Sequence, residues 1–184
     1  MYNLTMYSMG IEFITFLIEI DLQITDRAMG QNIFHIACSN GWDDFVTLLV
    51  KKPPKIKVTD RKSLKIDFKA KEKYERKISK INFEAKDKYN NTGFILACKY
   101  GWKNIVQYLL NHRNIVDIDI AESNTGKNCF LQAVLGKRVE VTKLFLSKSK
   151  SDEEIKRIIC ATNKRNETAF HMACVKGSVG NVKH

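Results

Sequence analysis

The chain has 184 residues, the length of one ordinary domain or of a short run of repeats. Hydrophobic residues make up 44% and charged residues 28%, a balance typical of a chain that folds around a core and not of a disordered one. Two prolines and nine glycines exclude collagen-like and linker-dominated sequence. The net charge of +11 favours anionic partners, such as nucleic acid, anionic lipid or an acidic protein.

The first predicted element is an amphipathic helix near the N-terminus. Its apolar residues Phe13, Ile14, Phe16 and Leu17 have the spacing that forms one stripe along a helix. The same spacing recurs at residues 45–49, 105–109 and 141–145. The sequence therefore predicts a set of similar short helices, each with one apolar face.

A second kind of segment recurs along the chain, and three of its copies precede one of these helices. Its sequence is GQNIFHIAC at 30–38, NNTGFILAC at 90–98, GKNCFLQA at 126–133 and NETAFHMAC at 166–174. The copies share the skeleton Gly/Asn-x-Asn/Thr-x-Phe-x-x-Ala, and in three of them a glycine follows the alanine by four residues. Such internal copies predict stacked helix pairs that share a continuous core.

This pattern resembles the ankyrin repeat, whose motif G-x-T-P-L-H-x-A leads through a turn glycine into a second apolar helix. The resemblance implies an all-α ankyrin-repeat solenoid of helix-turn-helix units, with β-hairpin fingers and one enlarged basic finger. As a single domain over 1–184 it divides into a degenerate N-terminal repeat (1–24), a repeat (25–52), a basic insertion (53–80), two repeats (81–113 and 114–150), an extra helix (151–162) and a truncated repeat (163–184).

The shared positions predict a common core. We expect one aromatic anchor and one closely packed alanine in each copy, namely Phe34, Phe94, Phe130 and Phe170 with Ala37, Ala97, Ala133 and Ala173. In the third copy the turn glycine is displaced to Gly136, so we expect a distorted turn and the weakest repeat there. The end of the chain is expected to expose an apolar face.

The five cysteines contain no CxxC pair and no zinc-site spacing. Cys38, Cys98 and Cys174 all follow the motif alanine, which predicts buried and reduced thiols. Reduced thiols favour an intracellular location, cytoplasmic or nuclear.

The insertion is the most basic part of the chain. Residues 51–88 hold fifteen basic and six acidic residues, and residues 65–74 recur at 80–89 with seven of ten identities. The alternation of Ile81, Phe83 and Ala85 predicts a strand leading into the second copy. Three interpretations remain open for this segment: a solvated loop, a basic docking surface, or a nucleic-acid contact.

The extra helix is predicted by the sequence at 151–154. Ser151 and Glu154 form a capping-box pattern, and this helix accounts for the long spacing between the third and fourth copies.

No catalytic residue, cofactor or metal site is predicted. His35 and His171 resemble the family's structural histidine, which bonds to backbone across neighbouring repeats. Trp42 and Trp102 occupy equivalent positions, where each ring either packs on a neighbouring turn or forms part of an exposed aromatic pair. If exposed, Trp42 and Trp102 would be binding anchors. Family geometry further implies partner contacts at the finger tips, Lys88, Tyr89, Ser123, Asn124, Lys164 and Arg165, and on the first helices, Ser39, Asn40, Lys99, Tyr100, Val175 and Lys176.

The function that this resemblance implies is non-enzymatic binding of a protein partner, through the finger tips, the first-helix face and the basic insertion. The basic charge favours a partner with an acidic surface. A second hypothesis is binding of nucleic acid or an anionic membrane through residues 51–88. A third is that the chain is a structural fragment of a longer array.

Overall fold

The computed structural model describes residues 25–50, 73, 75–122, 124–177 and 179–182. The predicted N-terminal helix, most of the basic insertion and Ser123 lie outside these described residues. Within them the chain forms short α-helices and no β-strand. The helices are α1 Ile33–Asn40, α2 Asp43–Val50, α3 Gly93–Tyr100, α4 Lys103–Leu110, α5 Cys129–Leu135, α6 Val139–Lys148, α7 Asp152–Cys160, α8 Ala169–Lys176 and α9 Val179–Val182.

The helices form antiparallel pairs that stack in chain order. The first helices of the pairs, α1, α3, α5 and α8, pack successively on one another. The second helices α2, α4 and α6 form a parallel layer in the same order. Each pair buries its apolar stripe against the next pair, so the core runs the length of the stack.

The third position of the repeated skeleton begins each first helix. The Asn32 and Asn128 side chains accept hydrogen bonds from the amides of His35 (3.1 Å) and Leu131 (2.9 Å). Thr92 caps α3 in the same way. These caps satisfy backbone donors that the first helical turn leaves unpaired, so the skeleton fixes where each helix starts.

The turn after each first helix contains a left-handed residue four positions after the motif alanine. This residue is Gly41 (φ 74°), Gly101 (φ 86°) and Gly177 (φ 59°) in three of the turns. In the third turn it is Lys137, with φ 58°. The expected distortion is therefore wrong: the Arg138 amide still bonds the Ala133 carbonyl at 2.8 Å, and lysine adopts the strained conformation that glycine takes elsewhere.

The aromatic anchors confirm the predicted core in three copies and contradict it in the fourth. Phe34, Phe94 and Phe130 are buried, and the Phe145 ring lies 6.1 Å from Phe94 and 5.8 Å from Phe130. Phe170, by contrast, is 60% exposed. Its position on α8 faces away from α5, on the side where the described residues place no further repeat.

The predicted β-hairpin fingers are turns closed by side chains. The described loops contain only isolated bridges, Ala121 with Asn128 and Thr162 with Thr168. At each tip an acidic or amide side chain accepts backbone N–H groups of the residues that follow it, as the Asp87 carboxylate does for Tyr89 (2.9 Å). Because the side chain satisfies these amides locally, no strand ladder is needed to do so.

The expected strand at Ile81, Phe83 and Ala85 is also wrong. The Ala85 amide bonds the Asn82 carbonyl at 3.3 Å, and the Glu84 amide bonds the Asn82 side chain at 3.0 Å, which makes this segment a turn. The alternating apolar residues of this turn still face the core. Ile81 is buried, and the Phe83 ring packs edge-on against the Phe34 ring, with ring centres 4.9 Å apart.

The extra helix α7 confirms the interpretation of residues 151–154. The Ser151 hydroxyl accepts the Glu154 amide, but the Glu154 carboxylate bonds the Lys150 amide (2.7 Å) and Arg113 (2.5 Å). The hydrogen bond from Lys150, and then Arg113, lower the pKa of the Glu154 carboxyl against the effect of burial. Arg113 also donates to the Lys148 carbonyl, so it fastens α7 to the ends of α4 and α6.

The cysteines divide by environment. Cys38, Cys98 and Cys129 are buried, whereas Cys160 and Cys174 are exposed. Burial raises the pKa of the Cys38 and Cys98 thiols well above the ordinary value. The prediction of a buried thiol is thus confirmed for Cys38 and Cys98 and wrong for Cys174. No helix among the described residues has the length and apolarity that crossing a membrane requires.

Candidate protein-binding surfaces

The structure separates the predicted contact residues into two groups at opposite ends of the first helices. A helix of eight residues is about 12 Å long, so the two groups are distinct surfaces. The finger end carries the tip row, which we define as Lys88, Tyr89, Asn124, Lys164 and Arg165. The other end carries the turn ridge, which we define as Ser39, Asn40, Trp42, Lys99, Tyr100, Trp102, Lys137 and Arg138.

The tip row is continuous because each tip bonds to the next. The Lys88 ammonium donates to the Ala28 carbonyl at 2.6 Å, and the Asn90 amide group donates to the Asn124 side chain at 3.3 Å. The Lys164 amide donates to the Thr125 carbonyl at 2.9 Å. Four successive tips therefore form one edge, on which the predicted residues lie side by side.

The acidic side chains of the tips accept hydrogen bonds within their own loops. Asp26, Asp87 and Glu122 each accept at least two hydrogen bonds from groups of their own loop, mainly backbone amides. Asn163 has the same role at the fourth tip. The carboxylates are thus turned away from the outer edge, where lysine and arginine are exposed.

The turn ridge is built by side chains that reach back one repeat. The Trp102 ring covers Gly41 so closely that a Cβ there would lie 2.6 Å from its Cδ2 and Cε3 atoms. The Trp102 indole N–H donates to the Ser39 carbonyl at 2.9 Å. Trp102 therefore packs on the preceding turn and still leaves 38% of its surface exposed, which combines the two interpretations made from the sequence.

Arg138 repeats this arrangement one unit further on, and sequence reasoning missed it. A Cβ at Gly101 would lie 2.6 Å from the Arg138 Cδ atom, and the Arg138 Nε–H donates to the Lys99 carbonyl at 3.1 Å. The sequence feature that could have identified Arg138 is its place in the repeat. It lies five residues after the motif alanine, as Trp42 and Trp102 do in their repeats. An aromatic and a guanidinium both present a planar group with an N–H donor, so both fit the site.

The aromatic residues of both surfaces are exposed, and two lie beside lysines. The Lys88 ammonium is 5.2 Å from the centre of the Tyr89 ring, and the Lys99 ammonium is 5.8 Å from the centre of the Tyr100 ring. Of the other predicted contacts, Asn40, Val175 and Lys176 are exposed and Ser39 is half-buried.

The two motif histidines differ in role. His35 is buried, accepts the Asn32 amide at Nδ1 (3.3 Å) and donates from Nε2 to the Asn91 carbonyl of the next repeat (3.0 Å). Burial lowers its pKa, so it is neutral at physiological pH. This confirms the structural interpretation of His35. His171 keeps only the local bond to Thr168 and is exposed.

The described residues contain no group of three or more His, Cys, Asp and Glu side chains that could hold a metal ion. An open groove of about 330 Å³ lies between α2 and α4. Across it the Asn104 side chain donates to Asp43 at 2.6 Å.

Comparison with known proteins identifies the repeated unit. The family model for ankyrin repeats, with three copies, matches residues 67–157. No curated protein matches the chain. Ankyrin repeats generally mediate protein–protein interaction and are generally not enzymes. The matched region contains the α3–α4 and α5–α6 pairs, and the same caps, left-handed turns and stacking continue on both sides of it. Residues 67–157 are therefore ankyrin repeats, and this match supports an ankyrin-repeat protein.

Proposed function

We propose that this chain is a non-enzymatic module that binds an acidic surface of a protein partner along the tip row. The neighbouring face of the first helices and the basic insertion extend the contact. One observation carries the proposal: the tip carboxylates Asp26, Asp87 and Glu122 are bonded within their loops, while Lys88, Lys164 and Arg165 are exposed at the outer edge.

Such an edge attracts carboxylates over several ångströms, and its contribution is mainly to the association rate and to the choice of partner. Arg165 is the one member of the row in an ion pair with a described acid, Glu167, at 3.2 Å. The insertion, which lies between the first and second tips in the sequence, adds charge of the same sign. Binding should therefore weaken as salt screens these exposed charges.

The proposed location is intracellular, either cytoplasmic or nuclear. All five cysteines are free, and Cys160 and Cys174 are exposed thiols that an oxidising compartment would modify.

The test begins with capture of partners from a cell lysate at low and high salt, followed by affinity measurement with the captured protein. Lys164→Glu is expected to weaken binding about tenfold, because it places a like charge against the partner. Lys156→Glu is the matched control: it makes the same charge change at an exposed residue of α7 that is not a member of the tip row. A chain that lacks residues 53–76 measures what the insertion adds.

Three results would contradict the proposal. Equal loss with Lys164→Glu and Lys156→Glu would indicate an effect of net charge alone. Full affinity with both variants would place the contact elsewhere. Capture of nucleic acid or anionic vesicles, lost at high salt and lost with the deletion, would favour the polyanion hypothesis instead.

A further inference from the structure

We infer that the turn ridge is a second docking surface, for a peptide segment that presents an apolar side chain at one end and carboxylates at the other. The ridge lies at the opposite end of the first helices from the tip row. The inference therefore does not depend on the proposed function, and each surface can fail without the other.

The ridge offers rigid aromatic anchors. Trp102 is held on the preceding turn by two contacts, its packing on Gly41 and its hydrogen bond to the Ser39 carbonyl. The Trp42 ring packs edge-on against Phe45, with centres 6.1 Å apart and planes at 70°. Because these rings are already fixed in the free protein, a partner that covers them loses little side-chain entropy on binding.

The exposed area is larger than the packing requires. Trp42 is 49% exposed and Tyr100 is 44% exposed. Trp42 follows the turn glycine Gly41, and Tyr100 precedes the turn glycine Gly101. A polar residue would satisfy the turn equally well at either position. Tryptophan, tyrosine and arginine are the residues that most often dominate the binding energy of protein interfaces. All three types are present within adjacent repeats of the ridge.

The two ends of the ridge differ in the sign of their charges. The Trp42 end is next to the acidic start of α2, where Asp43 bonds Asn104 and Asp44 is exposed. The Arg138 end carries Lys99, Lys137 and Arg138, all exposed. Glu140, the nearest acid to that end, is paired with Lys103 at 3.1 Å and with Lys143 at 3.5 Å. The basic end therefore favours carboxylates, and the tryptophan end favours an apolar side chain.

The dimensions match a short extended segment. Packed helices lie 8–10 Å apart, so Trp42 and Arg138, two repeats apart, are separated by roughly 20 Å. An extended chain covers this distance in about six or seven residues. A single strand of peptide can thus contact both ends of the ridge at once.

The test uses random displayed peptides of about seven residues as the probe, with the folded full chain as the target. The chain has two tryptophans, both on the ridge, so their emission reports directly on binding there. Enriched peptides are expected to carry an apolar residue near one terminus and Asp or Glu near the other, and to shift this emission.

Variants distinguish the ridge from the tip row. Trp42→Ala and Lys137→Glu should each weaken binding of the enriched peptides about tenfold. Lys164→Glu on the tip row and Lys156→Glu on α7 should leave their affinity unchanged. Circular dichroism confirms that every variant is folded.

Several outcomes would overturn the inference. These are a library with no enriched peptide, enriched peptides without acidic residues, and peptides that Lys164→Glu weakens but Trp42→Ala does not. Single-stranded DNA or phosphatidylserine vesicles that shift the tryptophan emission more strongly than the peptides do would also overturn it, because the ridge would then be a polyanion site.

Discussion

The sequences Phe-His-Ile-Ala-Cys at 34–38 and Phe-His-Met-Ala-Cys at 170–174 differ at one position, yet most of their side chains differ in burial. Phe34, His35 and Cys38 in α1 are fully buried. In α8, Phe170 is 60% exposed, and His171 and Cys174 are also exposed. Only the alanine is buried in both copies.

The difference comes from the neighbouring repeat and not from the motif. Phe34 is covered by the next first helix at Gly93, where a Cβ would lie 2.6 Å from the Phe34 ring. His35 donates to the Asn91 carbonyl of that same repeat. On α8 no described repeat supplies such a cover. In a linear stack, each motif therefore contributes half of an interface, and its burial depends on the adjacent repeat that supplies the other half.

The largest expected effect is on thiol reactivity. A disulfide reagent such as DTNB should label Cys174 of the native chain rapidly and Cys38 about 10³-fold more slowly, because Cys38 reacts only when the repeats open. Burial also raises the pKa of Cys38, which leaves little thiolate. Mass spectrometry of timed samples measures both rates.

The labelling comparison has an internal standard in Cys160, which is exposed on α7 and should react at a rate close to that of Cys174. In denaturant all five cysteines should react at similar rates. Equal rates for Cys38 and Cys174 in the native chain would mean that the α1–α3 interface opens freely.

The next effect is on stability. Phe34→Ala should lower the free energy of unfolding by about 3–5 kcal/mol, since it empties a buried site between two repeats. Phe170→Ala should change it by less than about 1 kcal/mol. Urea unfolding followed by circular dichroism measures both values. Similar losses for the two variants would show that Phe170 is covered in solution, for example by a second copy of the chain.

A smaller effect is expected at His35 as pH falls. Burial lowers the pKa of His35 below its ordinary value of 6.5 in the folded state. Protonation of the unfolded chain then favours unfolding, so stability is complete above about pH 6.5 and decreases from there down to the pKa of folded His35. Replacing His35 with Gln should therefore flatten the profile in this window.

The profile is measured as the melting temperature at several pH values between neutral and mildly acidic. Above about pH 6.5 the profiles of the wild type and His35→Gln should run parallel, and below it the wild type should lose stability more steeply. A decrease that persists unchanged in His35→Gln would have another origin, such as the carboxylates.

The sequence predicted the parts of this fold that depend on local chemistry. The Asn and Thr caps, the apolar stripes and the turn glycines are each set by a residue and its near neighbours, so the repeated skeleton was enough to locate α1, α3, α5 and α8. The extra helix α7 was located from Ser151 in the same way.

The parts that failed depend on residues far apart in the chain. The strand predicted at Ile81 to Ala85 rested on alternation, but Phe83 alternates because it packs on Phe34 of another repeat. Phe170 shares its motif with Phe34 and lacks only the neighbour. Arg138 was missed because its role appears only when the turn of the preceding repeat lies beneath it.

The displaced glycine of the third copy led us to expect a distorted turn. The smallest expected effect on stability is at this turn. Lys137 has φ 58° at the position that Gly41, Gly101 and Gly177 occupy in the other turns. A side chain in this conformation costs roughly 1–2 kcal/mol relative to glycine. Glycine loses more entropy on folding, which offsets about 0.5–1 kcal/mol of this difference. Lys137→Gly should therefore raise the free energy of unfolding by about 0.5–1 kcal/mol.

Gly177→Ala is the converse variant at the exposed end of the stack. A Cβ there would meet no atom within 4 Å, so the variant isolates the cost of the left-handed conformation from any clash. It should lower stability by about 1 kcal/mol or less, because among the described residues α8 packs against a neighbouring first helix on one side only. If Lys137→Gly proved destabilising while Gly177→Ala had the expected cost, the Lys137 side chain would contribute more to the third turn than its backbone strain removes.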